Sequence, residues 1–125
     1  MTFQFLLWLL GKRINWLAEN DAEFKKAIKG RVCVMQFRTA DNRARQYYKF
    51  AAGKTDTATG LHSKPSITFS FKSTGTAMGL ILKMAKDPSD KGVFMEAIRQ
   101  GKLRISGDMS LLAWFMTVSD HFAPV

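Results

Sequence analysis

The last helix that the sequence predicts, from 109 to about 121, is apolar on two of its faces. Two stripes of four residues follow its helical repeat: Met109, Leu112, Ala113 and Met116 on one side, and Leu111, Trp114, Phe115 and Val118 on the other. One stripe can pack against a sheet. The second needs another apolar neighbour, which can be a helix, a partner, a membrane or a ligand. Any fold for this chain must therefore account for both faces.

Length and composition indicate one folded domain over residues 1–125. A chain of 125 residues is long enough to bury one hydrophobic core but not two. Its hydrophobic fraction of 46% and aromatic fraction of 12% are typical of a folded protein. We therefore expect one core that all elements share.

Charge and cysteine content restrict the partners and the compartment. Nineteen Lys and Arg against ten Asp and Glu give a net charge of +9, which favours contact with phosphates in nucleic acid or in anionic lipid head groups. The single cysteine, Cys33, excludes an internal disulfide. The apolar run near the start is too short to span a bilayer, and no positive charge precedes it. We expect a cytoplasmic protein, peripheral to a membrane at most.

The first segment predicts an extra apolar helix over about 3–19. Apolar residues recur there at helical spacing, and Phe5, Trp8, Leu9 and Trp16 widen the stripe beyond what one core contact needs. We expect Phe5, Trp8, Lys12 and Arg13 to contact an anionic membrane. Packing of this helix on the sheet, or on a second copy in a homodimer, is the alternative.

The following residues predict a short helix and four strands. Asn20 or Asp21 can cap a helix that runs to Ile28 and ends at Gly30. The strands lie in 31–40, 45–53, 55–61 and 66–71, with a hairpin turn at 41–44 and a weak, polar edge strand at 55–61.

The remainder predicts two helices, a fifth strand and the last helix. A hydroxyl caps the helix over 75–86, within which Gly79 permits close packing, and Asp87 caps the next helix with Pro88 at its first position. A strand over 102–106 leads into the last helix, with Asp108 as its N-cap. This order predicts an α+β fold, a five-stranded, mainly antiparallel sheet with helices covering one face.

The sequence favours a protein that is not an enzyme. His62 lies in a predicted loop, His121 is near the end of the last helix, and Cys33 lies between two valines on a strand. Asp108 is explained as a helix cap. No phosphate-binding loop, metal-ligand spacing or nucleophile motif occurs, so we expect no metal and no cofactor.

A nucleic-acid-binding module is the alternative from another class. Basic and aromatic residues interleave at Arg43, Arg45, Tyr47 and Lys49. Strand alternation, however, turns Tyr48 to the core and leaves a single tyrosine among the charges. One ring is a poor stacking platform, so no specific nucleic acid is expected.

The stretch FMEAIRQGKLRISGDMSLLAWF, residues 94–115, resembles the hallmark of the sterol carrier protein-2 family. That hallmark is a helix, a Gly-Lys-Leu strand, a Gly-Asp or Gly-Asn turn and a final apolar helix. EFKKAIKGRVCVMQFRTAD, KPSITFSF and GLILKMAKDPSDKGVFMEAI are also similar to the family in order. The resemblance covers about residues 13–121.

The resemblance implies an apolar tunnel between sheet and helices that binds fatty acids, acyl-CoA or sterol-like lipids without chemistry on them. The positions that match the family are the same ones that periodicity places on inward faces: Phe94, Met95, Ile98, Leu103, Ile105, Met109 and Leu112. Met78, Leu82 and Phe115 complete the predicted ligand site. We expect a carrier of long apolar ligands, or an accessory subunit that presents lipids to an enzyme.

Overall fold

The computed structural model describes residues 2–87 and 92–119, which form five strands and five helices. In chain order these are α1 (Phe3–Asn20), α2 (Ala22–Ile28), β1 (Cys33–Thr39), β2 (Arg45–Ala51), β3 (Lys54–Thr59), β4 (Ile67–Phe71), α3 (Thr74–Lys86), α4 (Gly92–Arg99), β5 (Leu103–Gly107) and α5 (Ser110–Val118). Every predicted element is present, and the ends that can be compared differ by one or two residues. The predicted start of α4 at Pro88 and the predicted end of α5 near 121 lie outside the described residues.

The sheet has the strand order β3-β2-β1-β4-β5. Three of its pairings are antiparallel, and β1 with β4 is parallel. The polar strand β3 lies at one edge, as predicted, and β5 lies at the other. The predicted α+β fold with a mainly antiparallel sheet is confirmed.

One face of the sheet carries the core. Alternate residues of the three central strands are buried on that face: Met35, Phe37, Tyr48, Phe50, Ile67, Phe69 and Phe71. Helix residues such as Ile14, Leu17 and Phe24 are buried with them in the same cluster. The opposite face carries mostly polar and charged side chains, so the helices cover one face only.

Polar side chains cap the first three helices. The side chains of Thr2, Asp21 and Ser73 accept hydrogen bonds from the first turns of α1, α2 and α3. The Asp21 carboxylate, rather than Asn20, therefore caps α2, and Gly30 follows it with a φ of 77°. The hydroxyl cap predicted for α3 is that of Ser73.

The start of α5 differs by one residue from the prediction. Asp108 accepts hydrogen bonds from the backbone N–H and the hydroxyl of Ser110, at 3.0 and 2.6 Å. Met109 therefore forms a turn, and the helix begins at Ser110. Pro88 and His121 lie outside the described residues, as does the predicted end of the last helix.

Helix α1 packs directly on the sheet and on α2. The Tyr48 hydroxyl donates a buried hydrogen bond to the Leu7 carbonyl oxygen at 2.6 Å. At Gly11 the helix comes so close to β3 that a Cβ would lie 2.8 Å from Thr57 Cγ2. The close-packing role predicted for Gly79 is wrong, because a Cβ there would meet nothing within 4 Å. Gly11 has that role instead.

Candidate functional site

The two apolar stripes of α5 have different surroundings. Leu111, Trp114, Phe115 and Val118 are buried against the sheet and α2, and the Trp114 indole donates to the Ala27 carbonyl oxygen at 2.8 Å. On the second stripe Leu112 and Met116 are half-buried, while Ala113 and Met109 are exposed. Leu112 and Met116 pack partly against the core, so Met109 and Ala113 are the part of this second stripe that the core leaves exposed.

Aromatic rings occupy the centre of the space between sheet and helices. The Phe115 ring centroid lies 4.6 Å from that of Phe69, 5.8 Å from that of Phe37 and 6.3 Å from that of Phe94. Phe37 and Phe69 are 4.8 Å apart. A ligand chain that reached this point would have to displace or pass around these rings.

The structure divides the ten predicted ligand residues into three groups. Phe94, Leu103 and Phe115 are buried, and Met78, Ile98, Ile105 and Leu112 are half-buried against the core. Leu82, Met95 and Met109 are exposed by 60, 51 and 52%. The prediction that Met95 and Met109 face inward is therefore wrong, and Leu82 is exposed as well.

Helix and turn geometry explain the three exposed residues. Met95 follows Phe94, which takes the core position of α4, and one residue of helix is a rotation of about 100°. Met109 lies in the turn before α5, outside the helical repeat that predicted its direction. On α3, Leu80 is buried and Leu82 follows two residues later on the opposite side. These three side chains give the second half of the chain an apolar surface.

An open pocket of about 320 Å³ lies where the first turns of α1 and α3 meet the β1–β2 turn. Its lining combines apolar and polar residues: Thr2, Phe3, Gln4, Arg43, Ala44, Thr74, Gly75 and Met78. Met78 is the one predicted ligand residue in it. Sequence analysis missed the remainder, because three distant segments contribute to the pocket and no spacing connects them.

The outward side of α1 carries a stripe of exposed apolar and basic side chains. We call this set the outer stripe of α1: Phe5, Trp8, Leu9, Lys12 and Trp16. The Phe5 and Trp8 rings stack with centroids 5.8 Å apart, and Lys12 Nζ lies 5.2 Å from the Trp8 ring. Arg13 Cζ lies at the same distance from the Trp16 ring. Aromatic rings beside cations are typical of a helix at a membrane surface.

Burial or hydrogen bonding holds three side chains that the sequence offers as chemical candidates, Cys33, Asp108 and His62. Burial raises the pKa of the Cys33 thiol to about 11, so little nucleophilic thiolate forms near neutral pH. Hydrogen bonds from Ser110 hold the pKa of Asp108 below its usual value. His62 Nδ1 accepts the Lys64 backbone N–H in the predicted loop. Within residues 2–87 and 92–119 no group of three or more His, Cys, Asp or Glu could hold a metal ion.

No described helix is both long and apolar enough to cross a membrane. Helix α1, with 18 residues, is the longest element described, but lysine and arginine interrupt its apolar sequence.

Comparison with solved structures identifies the fold. A protein described as the UbiJ-SCP2 ubiquinone synthesis protein matches with a TM-score of 0.64 at 13% identity, over 94% of this chain and 96% of that one. The apo form of sterol carrier protein 2 from Yarrowia lipolytica matches with a TM-score of 0.63 at 11% identity, over 100% and 98%. A sterol carrier protein domain of Helicoverpa armigera gives 0.57 at 24% identity, over 90% and 84%.

These matches show that the chain has the sterol carrier protein-2 fold, as the residues at 94–115 predicted. No protein-family model matches the sequence, and no curated protein matches it. The likeness therefore establishes the fold alone.

Proposed function

We propose that this protein binds or transfers long apolar ligands, such as fatty acids or acyl-CoA, without chemistry on them. The observation that carries the proposal is the set of large apolar side chains that the second half of the chain leaves exposed: Leu82 on α3, Met95 on α4 and Met109 before α5. Methionine-containing surfaces of this kind suit contact with varied apolar guests. The fold supports a lipid partner, because three of its solved neighbours are named as sterol carrier proteins or SCP2.

The ligand enters, on this proposal, beside the helices rather than through the sheet. The ring cluster around Phe115 fills the centre, so an acyl chain has to lie along α5 and between the methionines, or move the helices apart. Methionine suits such a site because its unbranched, polarizable side chain adapts to varied apolar guests. The ten predicted residues remain the proposed ligand set, with Met95 and Met109 at its surface.

Displacement of a fluorescent fatty acid tests this proposal. Native mass spectrometry of the purified protein is expected to recover bound lipid, and fatty acid is expected to bind below about 100 μM, or roughly −5.5 kcal/mol. Replacing both exposed methionines, in Met95→Gln/Met109→Gln, should weaken binding at least about fivefold, which is 1 kcal/mol. Both side chains are exposed, so the variant should still fold.

Val32→Gln is the matched control for that variant. Val32 is 80% exposed, it precedes β1, and it belongs to neither the ligand set nor α1. Equal weakening by this control would contradict the proposed site. Failure of fatty acid, sterol and acyl-CoA all to bind would contradict the function itself.

We propose further that the outer stripe of α1 docks the protein on anionic membranes. The stripe exposes Phe5, Trp8 and Trp16 by 45, 43 and 52%, and each tryptophan has a cation beside it. Aromatic rings insert at the head-group level while Lys12 and Arg13 meet lipid phosphates. The first acidic residue of α1 is Glu19, near the end of the helix.

Vesicle flotation tests the docking. Binding to phosphatidylglycerol vesicles should exceed binding to phosphatidylcholine vesicles, should weaken with salt, and should fall several-fold in Phe5→Ser/Trp8→Ser. Binding that ignores lipid charge and salt would contradict the proposal. Loss of a dimer in this variant, measured by sedimentation with no change in flotation, would assign the stripe to a second copy instead.

Presentation of lipid to an enzyme is a second form of the same function. The neighbour described as a ubiquinone synthesis protein supports it, since that protein has a biosynthetic role and this fold. A free carrier should exchange lipid between two vesicle populations without any other protein. A presenting subunit should show ligand binding without such exchange.

A further inference from the structure

The sheet face that the helices leave uncovered carries arginines in one row across four strands. Arg45 on β2 pairs with Arg38 on β1, Arg38 pairs with Ser70 on β4, and Ser70 pairs with Arg104 on β5. Paired residues point to the same side of a sheet. The row therefore extends over about 14 Å at the usual strand spacing. Two lysines lie beside the row: Lys72 is two residues after Ser70, and Lys102 is two residues before Arg104. The Lys72 N–H donates to the Lys102 carbonyl oxygen at 2.9 Å.

This row has no explanation in the packing of the sheet. Like charges directly opposite each other on paired strands are destabilising, and Arg38 and Arg45 are such a pair. The ion pairs found among the described residues join Arg43 to Asp41 and Arg99 to Glu96, so neither includes a residue of the row. An anionic partner would relieve the repulsion.

Arg38 is already oriented in the absence of a partner. Its Nε and Nη2 atoms donate to the carbonyl oxygens of Thr39 and Ala40, each at 3.3 Å. A guanidinium group has five N–H donors in a fixed plane, which suits bidentate contact with a carboxylate or a phosphate. Fixing that plane reduces the entropy lost on binding.

An exposed leucine lies beside the row. Leu61 is 45% exposed, and it follows Gly60, whose N–H donates to the Arg45 carbonyl oxygen at 3.1 Å. Leu61 belongs to the loop between β3 and β4. Two contacts hold this loop on the sheet: the His62 N–H donates to Gln36 Oε1 at 2.7 Å, and the His62 ring packs on Tyr47. Arginine next to an exposed apolar side chain is typical of a protein interface.

We propose that this cationic sheet face, made of Arg38, Arg45, Arg104, Lys72, Lys102 and Leu61, binds an acidic segment of a partner protein. Carboxylates of the segment contact the arginines, and one apolar side chain contacts Leu61. A nucleic acid fits less well, because Tyr47 is half-buried and a flat sheet does not enter a groove. The outer stripe of α1 lies on the other side of the sheet, so this face stays open when α1 contacts lipid.

A labelled peptide of alternating glutamates with one central leucine tests the proposal. About ten residues are enough, since an extended chain of that length spans the row. Arg45→Gln/Arg104→Gln should weaken binding at least about fivefold by fluorescence anisotropy. Lys25→Gln/Lys26→Gln removes the same charge from exposed positions on α2 and should change binding less than about twofold. Replacing the peptide leucine with serine should also weaken binding.

Three results would overturn the proposal. The first is that the lysine variant weakens peptide binding as much as the arginine variant does. The second is that the peptide does not bind at all. The third is that an oligonucleotide or a phosphatidylglycerol vesicle binds more tightly than the peptide through the same arginines. Thermal melting of each variant shows that it is folded. Fatty acid displacement should be unchanged in Arg45→Gln/Arg104→Gln, so this experiment and that of the ligand site can fail separately.

Discussion

Two residues at the carboxyl end of β5 show how tightly this sheet edge is fixed. Gly107 has a φ of 108°, a conformation that L side chains rarely adopt, and a Cβ there would clash with the Ser66 carbonyl oxygen. The next residue, Asp108, donates its backbone N–H to the same Ser66 oxygen at 2.8 Å. Gly107, the first residue of the Gly-Asp pair that suggested a family from sequence, is therefore a backbone requirement of the strand-to-helix turn, whereas Asp108 contributes through its side-chain hydrogen bonds with Ser110.

Gly107→Ala should lower the free energy of unfolding by about 2–4 kcal/mol, because strain and a clash add together. Gly79→Ala is the matched control, since its Cβ would meet open space within a helix. That variant should gain about 0.5–1 kcal/mol. Urea unfolding of both variants measures the difference. Equal stabilities would show that the turn tolerates a side chain.

The Asp108 carboxylate should make stability depend on pH at the acidic end. Hydrogen bonds from Ser110 lower its pKa from 3.8, so the folded protein holds the ionised form more readily than the unfolded chain. This contribution is present above pH 3.8 and is lost as the pH falls through the lower folded pKa. Asp108→Ala removes the contribution. The stability gap between wild type and variant should therefore narrow from pH 5 to about pH 2 in urea titrations.

Helix α5 shows at the scale of one element what sequence periodicity can determine. Its spacing predicted two stripes, and the structure buries the stripe of Trp114 and Phe115 while leaving Met109 and Ala113 exposed. Periodicity could not say which stripe would face the sheet, because both are equally apolar. The stripe with the larger aromatic residues, Trp114 and Phe115, is the buried one, and its rings pack against rings from β1, β2 and β4.

Phe115→Ala should therefore destabilise the protein by about 3–5 kcal/mol, because it leaves a cavity among the rings of Phe37, Phe69 and Phe94. Ala113→Gln, on the exposed side of the same helix, should change stability by less than about 0.5 kcal/mol. Thermal unfolding followed by circular dichroism compares the two. A small effect of Phe115→Ala would mean that the centre of the domain is loosely packed.

At the scale of the whole molecule, the sequence predicted the type of each element better than it predicted which elements lie next to each other. The alternation at Ile67, Phe69 and Phe71 predicted a strand and its buried face, and both are observed. The parallel pairing of β1 with β4 left no local trace, because it joins residues more than thirty positions apart. The open pocket and the cationic sheet face could not be predicted for the same reason, because each combines residues from strands and turns that are distant in the sequence.

The parallel pairing at the middle of the sheet has a consequence for how the chain folds. Strands β1 to β3 form an antiparallel meander, and β4 and β5 form a separate antiparallel pair. Within the sheet, the β1–β4 pairing alone joins these two parts. Both the β1–β4 and the β4–β5 pairings join residues more than thirty positions apart, and contacts of such long sequence separation form slowly. The β1–β3 meander can therefore assemble first during refolding, while amide protons of β4 and β5 acquire protection from exchange last.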